Sequence, residues 1–415
     1  MVVRMWPSAI GIVALLVFCE TRAGAGGLSF SENGAAAAGK ANAFVGEADD
    51  PSAIFYNPAG MTQLPGTQVM AGTALVHLSS TFRSSTTGES TQLQDQFPLV
   101  PHLYVTHRLK VLDERLSLGL GIYHPFGIVI DWPDTWQGRF DSTDARLRVT
   151  VFNPVVAFRA TPKLSLAAGV RVADVAAEVE QKFNLGNGES KLRAYGLTAM
   201  PVGWNVGALY RVTESVSVGI TFRSELQAKL RGQADVTGPA AAVFPSASLH
   251  SGLKLPPQLV AGISVKVTPR WTINADVEWE GYRTVGTIPK DFVGRTAGDL
   301  IGTRLWTNSY VYRLGTEFAA TSRWAVRGGY FFDQSPIPDN TFEPAIPNAN
   351  LHAVTAGLGY RWETLTLDVA YLFGFYEKRA INNSTLDSNN RAGPTTFGSY
   401  STTAQVLTVS LTKRF

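Results

Sequence analysis

The feature that most constrains this chain is a two-residue alternation of apolar and polar side chains, which is clearest at residues 215–231. There Val216, Val218, Ile220 and Leu226 fall on one parity, and the positions between them are mostly polar. Successive strand residues point to opposite faces, so this pattern predicts a strand with one apolar and one polar face. Segments of this kind recur about fourteen times, at residues 67–78, 98–109, 115–130, 144–160, 163–183, 191–212, 215–233, 249–267, 270–284, 303–319, 322–334, 350–361, 364–378 and 400–415.

Short and long connections alternate between these segments. The short ones fall near residues 112–114, 161–162, 213–214, 268–269, 320–321 and 363. The long ones cover residues 79–97, 125–143, 184–190, 234–248, 285–302, 335–349 and 379–399. Tight turns at one end and long loops at the other are typical of outer-membrane barrels. We therefore predict an all-β fold, a transmembrane antiparallel β-barrel of about fourteen strands, with both chain termini on the periplasmic side.

Composition agrees with a barrel that spreads its hydrophobicity over many strands. Charged residues make up 17% of the chain, below the roughly 25% of soluble proteins. No stretch in the body of the chain has the run of about 18 apolar residues that a transmembrane helix needs. The formal net charge of +3 is too small to favour a nucleic-acid partner.

Residues 1–25 are typical of a secretory signal peptide. Arg4 supplies the positive start, residues 10–18 form a short apolar run, and Ala23 and Ala25 frame a small-residue cleavage site. A retained membrane anchor is the alternative. The single cysteine, Cys19, lies within this segment, so we expect the mature chain to carry no disulfide, no cysteine nucleophile and no thiolate metal site.

Between the signal and the first strand, residues 34–64 are rich in Ala and Gly and show no period of 2 or 3.6. This composition predicts a compact irregular plug. We assign residues 26–66 to this hatch and residues 67–415 to the barrel. Asp49 and Asp50 more readily form hydrogen bonds within the hatch than a calcium site, because two carboxylates without further spaced oxygen ligands bind calcium poorly.

The hatch also carries a resemblance to a known family. Residues 49–60, DDPSAIFYNPAG, are similar to the N-terminal hatch of the long-chain fatty acid and aromatic hydrocarbon transporters of the FadL/TodX (OMPP1) type, with Asn57-Pro58-Ala59 the most recognisable part. Further stretches resemble the family in the same order along the chain, at residues 100–105, 116–127, 136–140, 152–158, 203–207, 222–225 and 332–339.

The resemblance implies a mechanism as well as a fold. In such a protein a ligand is caught in a groove among the external loops, passes to a pocket inside the barrel, and leaves sideways through a gap made by an inward kink of the third strand. Here that strand runs into His124-Pro125-Phe126-Gly127, and Pro and Gly favour a bend. The alternative is that Pro125 merely ends the strand. The hatch residues Asn57, Pro58, Ala59 and Gly60 would gate the gap, or else form only an internal turn.

Several residues are candidates for ligand binding. Arg171, Arg193 and Arg223 could each hold a ligand carboxylate inside the barrel. However, residues 175–180 (VAAEVE) are acidic where the resemblance implies basic residues, which favours a neutral ligand. The alternation also places Arg223 on the interior face, as part of a paired network that anchors the hatch; the other members are Glu225, Asp276, Glu278 and Asp368.

The apolar loop at residues 234–248, which contains Phe244, forms an outer capture groove with Trp132 and Trp136 in one interpretation. In the other, these aromatic side chains belong to an interfacial belt.

We expect no enzymatic activity and no cofactor or metal. The chain has no G-x-S-x-G or HExxH motif, and its six His are scattered without metal-ligand spacing. The expected function is passive uptake of hydrophobic molecules across a Gram-negative outer membrane, with long-chain fatty acids first and neutral aromatic or aliphatic hydrocarbons as the alternative. A general porin and an outer-membrane lipid hydrolase fit less well. Expected partners are the ligand, membrane lipid and lipopolysaccharide, and the barrel insertion machinery, which would read the C-terminal Phe415; we expect a monomer.

Overall fold

The computed structural model describes residues 28–293, 300–382 and 394–415. The predicted signal peptide and Cys19 therefore lie outside the described residues. Within the described residues, no helix is long and apolar enough to cross a membrane.

A closed antiparallel barrel of fourteen strands dominates the structure. Five of the strands are each built from two segments. The strands are β1 Thr67–Ser84, β2 Leu99–Arg108, β3 Leu116–Asp131, β4 Asp144–Arg159, β5 Leu164–Asn184, β6 Glu189–Ala199 with Val202–Arg211, β7 Val216–Arg223 with Leu226–Thr237, β8 Ala247–Leu255 with Gln258–Thr268, β9 Trp271–Glu280 with Thr287–Phe292, β10 Leu300–Thr303 with Ser309–Ala319, β11 Trp324–Asp333, β12 Leu351–Arg361, β13 Leu365–Tyr376 and β14 Gly398–Arg414.

Each strand pairs with its sequence neighbour, and β1 closes the barrel on β14 in a register that runs from Gln68 opposite Arg414 to Ser84 opposite Gly398. The predicted fold class and strand order are confirmed. Short turns lie at one end of the barrel and longer connections at the other, and these are called here the turn end and the loop end. Two short strands, Ser90–Gln92 and Arg379–Ile381, extend the sheet at the loop end.

Strands β6 to β9 are interrupted at one common level. The breaks fall at residues 200–201, 224–225, 256–257 and 281–286. Backbone hydrogen bonds join residues of the breaks to the neighbouring strand. The Ala173 nitrogen donates to the Pro201 oxygen at 2.9 Å, and the Gly281 nitrogen donates to the Pro257 oxygen at 2.9 Å. Proline has no N–H for a sheet ladder, so two of the breaks coincide with prolines.

The break in β7 exchanges the two faces of the strand. On the turn-end side, Val218 and Ile220 are exposed, as lipid-facing residues are. On the loop-end side, Leu226 and Leu230, which have the same parity, are buried instead. The prediction of one continuous apolar face over residues 215–231 was therefore wrong, because the irregular backbone at residues 224–225 shifts the alternation by one position.

Residues 28–66 lie inside the barrel as a buried hatch. They contain two short helices, α1 (Ala35–Ala38) and α2 (Ala53–Tyr56), and a 3₁₀ turn at Pro58–Gln63. Further single 3₁₀ turns lie outside the hatch, at Leu112–Glu114, Pro239–Ala242, Tyr282–Val285, Asp339–Thr341 and Pro394–Thr396. The hatch packs directly on strand backbone: a Cβ built on Gly219 of β7 would lie 2.1 Å from the carbonyl oxygen of Val45. Small side chains in the hatch and glycines in the wall therefore allow this close contact.

A buried network of charges connects the hatch to the barrel wall. Glu278 accepts hydrogen bonds from Arg223 at 3.2 Å and from Arg313 at 2.5 Å. Arg223 also donates to the Phe55 carbonyl at 2.7 Å, and Asp276 accepts from the backbone nitrogen of Phe44 at 2.8 Å. The expected anchoring network is thus present at these positions. Glu225 is not part of it, because the strand break turns this side chain toward Gln227 on the outer face.

Candidate functional site

An apolar cavity lies inside the loop-end half of the barrel, above the breaks. Its volume is about 160 Å³, and it is lined by side chains from β3 to β9 and by the connection between β11 and β12. Most of the lining is aliphatic, and Trp306 is the one aromatic residue among the lining residues that the structure describes. The aliphatic members include Leu28, Ile128, Leu147, Val179, Leu197, Leu230, Leu249, Leu253, Ile288 and Ile346.

The cavity has one polar end. Lys290 of β9 and Arg304, just after the first segment of β10, line it together with Glu343 and Asp141. Arg304 pairs with Glu343 at 2.7 Å, and its other two nitrogens have no hydrogen-bond partner among the described residues. Burial, and secondarily the charge of Glu343, raises the pKa of Asp141 to about 8. At pH 7 Glu343 is then the one ionised carboxylate of this cluster, and it pairs with Arg304. Lys290 and the unbonded nitrogens of Arg304 are placed to receive one ligand carboxylate.

Sequence reasoning missed both basic residues. Lys290 lies in residues 285–302, which were assigned to a long connection, and Arg304 lies at the start of the predicted strand at residues 303–319, where no ligand contact was predicted. The acidic residues within 175–180, which favoured a neutral ligand in the sequence, are paired with a basic side chain. Glu178 and Glu180 are neutralised on the outer surface by Arg193 of β6, at 3.3 Å and 3.2 Å. Glu180 also contributes to the cavity lining, but its carboxylate is paired with Arg193; the basic residues beside Glu343 come from β9 and β10.

Strand β3 carries a bulge at His124 and Pro125. Tyr123 lies opposite Val151 and Phe126 lies opposite Val149. Between these two pairs β3 therefore advances by three residues while β4 advances by two. Pairing of β3 with β2 stops at Ile122. Beyond this point β3 follows only β4 in the barrel wall, and the wall between β2 and β3 is no longer joined by a ladder.

The start of the hatch covers this unpaired stretch from inside. We call residues 28–33 the strap. Ser29 lies opposite Phe126 as an isolated antiparallel bridge. The Phe30 nitrogen donates to the Pro125 oxygen at 2.8 Å, and the Gly127 nitrogen donates to the Leu28 oxygen at 2.9 Å. The strap therefore supplies the backbone hydrogen bonds that β2 does not, as buried backbone groups require.

Asn33 fastens the strap to the bulge. Its side-chain oxygen accepts from the His124 nitrogen at 3.1 Å. Its side-chain nitrogen donates to the Phe30 oxygen at 3.0 Å and to the His124 oxygen at 3.3 Å. The His124 ring in turn contacts the Pro101 oxygen of β2 at 2.8 Å and the Thr150 hydroxyl of β4 at 3.0 Å. From β3, His124 thus contacts β2 across the gap and β4 on its other side.

The turn at Asn57–Gly60 lies elsewhere. The Asn57 amide donates to the Val45 oxygen at 2.9 Å and to the Ala208 oxygen of β6 at 3.0 Å. Its oxygen accepts from the Ala59 nitrogen at 3.3 Å and so caps the 3₁₀ turn that begins at Pro58. These contacts place the turn against β6 and β7, whereas the bulge is covered by the strap. A gating role for the triplet stays a prediction.

The three predicted arginines have different surroundings. Arg223 is fully engaged in the anchoring network. Arg193 does not reach the interior, because it lies on the outward face above the break and pairs there with carboxylates. Arg171 is buried in the wall of β5; one of its nitrogens donates to the Ser224 oxygen at 3.0 Å, and the other two have no partner among the described residues.

Trp132 and Trp136 are buried rather than exposed. Their rings stack with centroids 4.5 Å apart, and their indole nitrogens donate to the Pro344 oxygen at 3.1 Å and to the Ser142 oxygen at 2.8 Å. Phe244 instead contacts Phe183, at 6.4 Å between centroids. The structure therefore does not bring these three residues into one outer groove. Nor do the two tryptophans form an interfacial belt, because their indoles are satisfied inside the protein.

No group of three or more His, Cys, Asp or Glu suited to a metal ion occurs in the part of the chain that the structure describes. A second, polar cavity of about 820 Å³ opens at the turn end. Thr62 and Gln63 of the hatch contribute to its walls, together with Arg108, Arg159 and Arg211. The hatch lies between this vestibule and the apolar cavity, so the described structure does not present an open axial pore.

Comparison with known proteins gives consistent results. A family model described as "Outer membrane protein transport protein (OMPP1/FadL/TodX)" matches residues 16–415. The long-chain fatty acid transport protein of Salmonella typhi is 22% identical over 404 residues, which cover 88% of this chain and 91% of that protein.

Two solved structures have a similar fold. A Pseudomonas aeruginosa FadL homologue superposes with a TM-score of 0.82 at 19% identity, covering 93% of this chain and 99% of that one. The Pseudomonas putida toluene transporter TodX gives 0.69 at 18% identity, covering 88% and 94%.

Proposed function

The chain belongs to the OMPP1/FadL/TodX family of outer membrane transport proteins, and we propose that it takes up hydrophobic molecules, with long-chain fatty acids as the first substrate class. The observation that carries this proposal is an apolar cavity whose lining includes two neighbouring basic side chains, Lys290 and Arg304. A carboxylate there gains charge-assisted hydrogen bonds, and each CH₂ group buried in the cavity contributes about 0.8 kcal/mol.

The proposed route runs from the cavity to the barrel wall. Leu28 lines the cavity and belongs to the strap, and Ile128 lines the cavity and lies two residues beyond Phe126 of the bulge. A ligand that displaces the strap would reach the gap between β2 and β3. Unpaired backbone at this depth is tolerable only where it meets protein or lines a cavity, and the strap meets that requirement while the gap is closed. Lateral exit would deliver an insoluble ligand directly into lipid.

Binding by purified protein tests the assignment. Lys290→Met should weaken oleate binding by roughly 10-fold to 150-fold, the loss that corresponds to a hydrogen bond to a charged group. Toluene binding should not change. The control is Lys266→Met at the turn end, which removes the same charge far from the cavity. Equal oleate affinity in Lys290→Met and in the unmodified protein would contradict the assigned carboxylate contact.

A neutral aromatic hydrocarbon is the second candidate. A cavity of about 160 Å³ is close in size to cavities that hold benzene, which are on the order of 150 Å³. An 18-carbon chain would have to extend beyond it. Competition of oleate and toluene for one labelled probe separates the candidates: toluene displaces the probe in both cases, but oleate displaces it only in a fatty-acid carrier.

We further propose that the loop end faces the outside of the cell and that both termini are periplasmic. The alternation of short turns and longer connections supports this orientation. We propose a monomer inserted by the barrel insertion machinery, and transport without a catalytic step. Lipid hydrolysis by the purified barrel, abolished by substitution of one Ser or His, would contradict the last point. A large steady single-channel conductance would instead support a porin.

A further inference from the structure

The outer surface of the barrel changes character at the level of the strand breaks. Below them, on the turn-end side, outward side chains of adjacent strands are apolar and exposed, as at Trp204, Ile220, Leu259 and Val277. These four strand segments are 10, 8, 11 and 10 residues long. A tilted strand crosses the hydrocarbon region in about 9–11 residues. On this side of the barrel the hydrocarbon region therefore ends at the breaks.

Directly above this boundary lies a patch of three outward cations, Lys229 and Arg231 of β7 and Lys254 of β8, which we call the cationic patch. In the sheet register Gln227 lies opposite Lys254, Lys229 opposite Gly252, and Arg231 opposite His250. Lys229 and Lys254 are thus diagonal neighbours, at a Cα separation of about 7–8 Å. All three cations are exposed.

Several other outward cations of the loop-end half are paired. Arg193 pairs with Glu178 and Glu180, Arg148 with Asp174 at 3.1 Å, and Arg139 with Glu189 at 2.5 Å. In contrast, the members of the cationic patch have no ion pair within residues 28–293, 300–382 and 394–415. Of the carboxylates on these strands, Glu225 accepts from Gln227 at 2.6 Å, and Asp291 lies 3.9 Å from His250.

The backbone between the cations is open. A Cβ built on Gly252 would meet only Pro289, at 3.6 Å. With no side chain at this position, Lys229, Lys254 and Pro289 surround a shallow recess on the outer face. A single anionic group placed there would lie near two or three cations at once and would relieve their mutual repulsion.

We propose that the cationic patch binds the phosphate of a lipid in the outer leaflet, and that the acyl chains of this lipid lie along the apolar band below. The proposal rests on the orientation proposed above, with the loop end outside. In a Gram-negative outer membrane the phosphate-bearing lipid of that leaflet is the glycolipid lipopolysaccharide, and this is the occupant to which the proposal commits. The position of the cations at the edge of the hydrocarbon, where lipid phosphates lie, is what favours a lipid over a soluble anion.

Lipid titration of the full-length protein tests this. The variant Lys229→Gln/Arg231→Gln/Lys254→Gln is compared with Lys163→Gln/Arg211→Gln/Lys266→Gln, which removes the same charge at the turn end. Binding of bisphosphorylated lipid A in detergent is followed by native mass spectrometry. Near an anionic lipid surface each Lys or Arg contributes about 1 kcal/mol, so the first variant should bind on the order of a hundredfold more weakly, and the control should match the unmodified protein.

Two further ligands identify what is bound. Dephosphorylated lipid A should bind the unmodified protein as weakly as the triple variant binds lipid A. Inorganic phosphate at an equal concentration should not compete. Equal binding by the triple variant, equal binding of the dephosphorylated lipid, or full competition by inorganic phosphate would each overturn the proposal. Oleate binding in the triple variant reports separately on the cavity, and labelling of a Lys229→Cys variant on intact cells reports separately on the orientation.

Discussion

Removal of the Asn33 side chain should loosen the strap. In Asn33→Ala, three hydrogen bonds are lost, two to the His124 backbone and one to the Phe30 oxygen. Each contributes about 0.5–1.5 kcal/mol net, so the strap loses roughly 3 kcal/mol relative to the open state. Since 1.4 kcal/mol corresponds to a factor of about ten, the open population should rise roughly a hundredfold.

Amide hydrogen exchange measures this opening directly. The Phe30 and Gly127 amides are bonded across the strap and the bulge, so in Asn33→Ala both should exchange roughly a hundredfold faster. Asn57→Ala is the matched control, because Asn57 also makes three hydrogen bonds, but to Val45, Ala208 and Ala59. It should leave both amides unchanged.

The same two variants separate the two candidate gates. Fatty-acid uptake into proteoliposomes should be faster in Asn33→Ala than in Asn57→Ala. Unchanged exchange at Phe30 and Gly127 in Asn33→Ala would refute the strap as a closure. Faster uptake in Asn57→Ala alone would instead identify the Asn57–Gly60 turn as the gate.

Two other predictions follow from the cavity and the hatch. Burial raises the pKa of the Asp141 carboxyl to about 8, so this group is protonated at pH 7 and ionises as the pH rises through 8. Ionisation adds a negative charge to the cavity lining, so oleate affinity should fall between pH 7 and 9. A calorimetric titration of Asp141→Asn should show no such fall. Gly219→Ala should place a methyl group against the Val45 carbonyl and destabilise the barrel by about 1–3 kcal/mol, seen as earlier thermal unfolding, whereas Gly252→Ala, which meets only ordinary contacts, should unfold like the unmodified protein.

The strand order was predictable because one physical rule, alternation on a half-apolar sheet, acts locally along the chain. The prediction of which side chains face the interior failed at the strand breaks, where the alternation shifts by one residue. Nothing in residues 215–231 shows that Val218 and Leu226 face opposite sides, because the irregular backbone at residues 224–225 depends on pairing with β6 and β8. For the same reason Lys290, beyond a similar break, was assigned to a connection.

The candidate site was only partly predictable. The bend at Pro125 could be inferred from the backbone limits of proline, and the network around Arg223 from the need to pair interior charges. The contacts of Asn33 and Asn57 could not be inferred, since each joins residues more than ninety positions apart. Trp132 and Trp136 were predicted at the surface because no local pattern shows that the connection between β11 and β12 covers them.

The most direct test of lateral exit is a reversible lock on the strap. Ser29 and Phe126 form an antiparallel bridge without mutual hydrogen bonds, a pairing with Cα atoms about 4.5 Å apart, which a disulfide can span. In Ser29→Cys/Phe126→Cys, the rate of fatty-acid transfer from the cavity into the bilayer is measured in the oxidised and reduced states of one protein. Oxidation should stop transfer while cavity binding persists, and reduction should restore transfer. Equal transfer rates in the two states would contradict exit through the gap between β2 and β3.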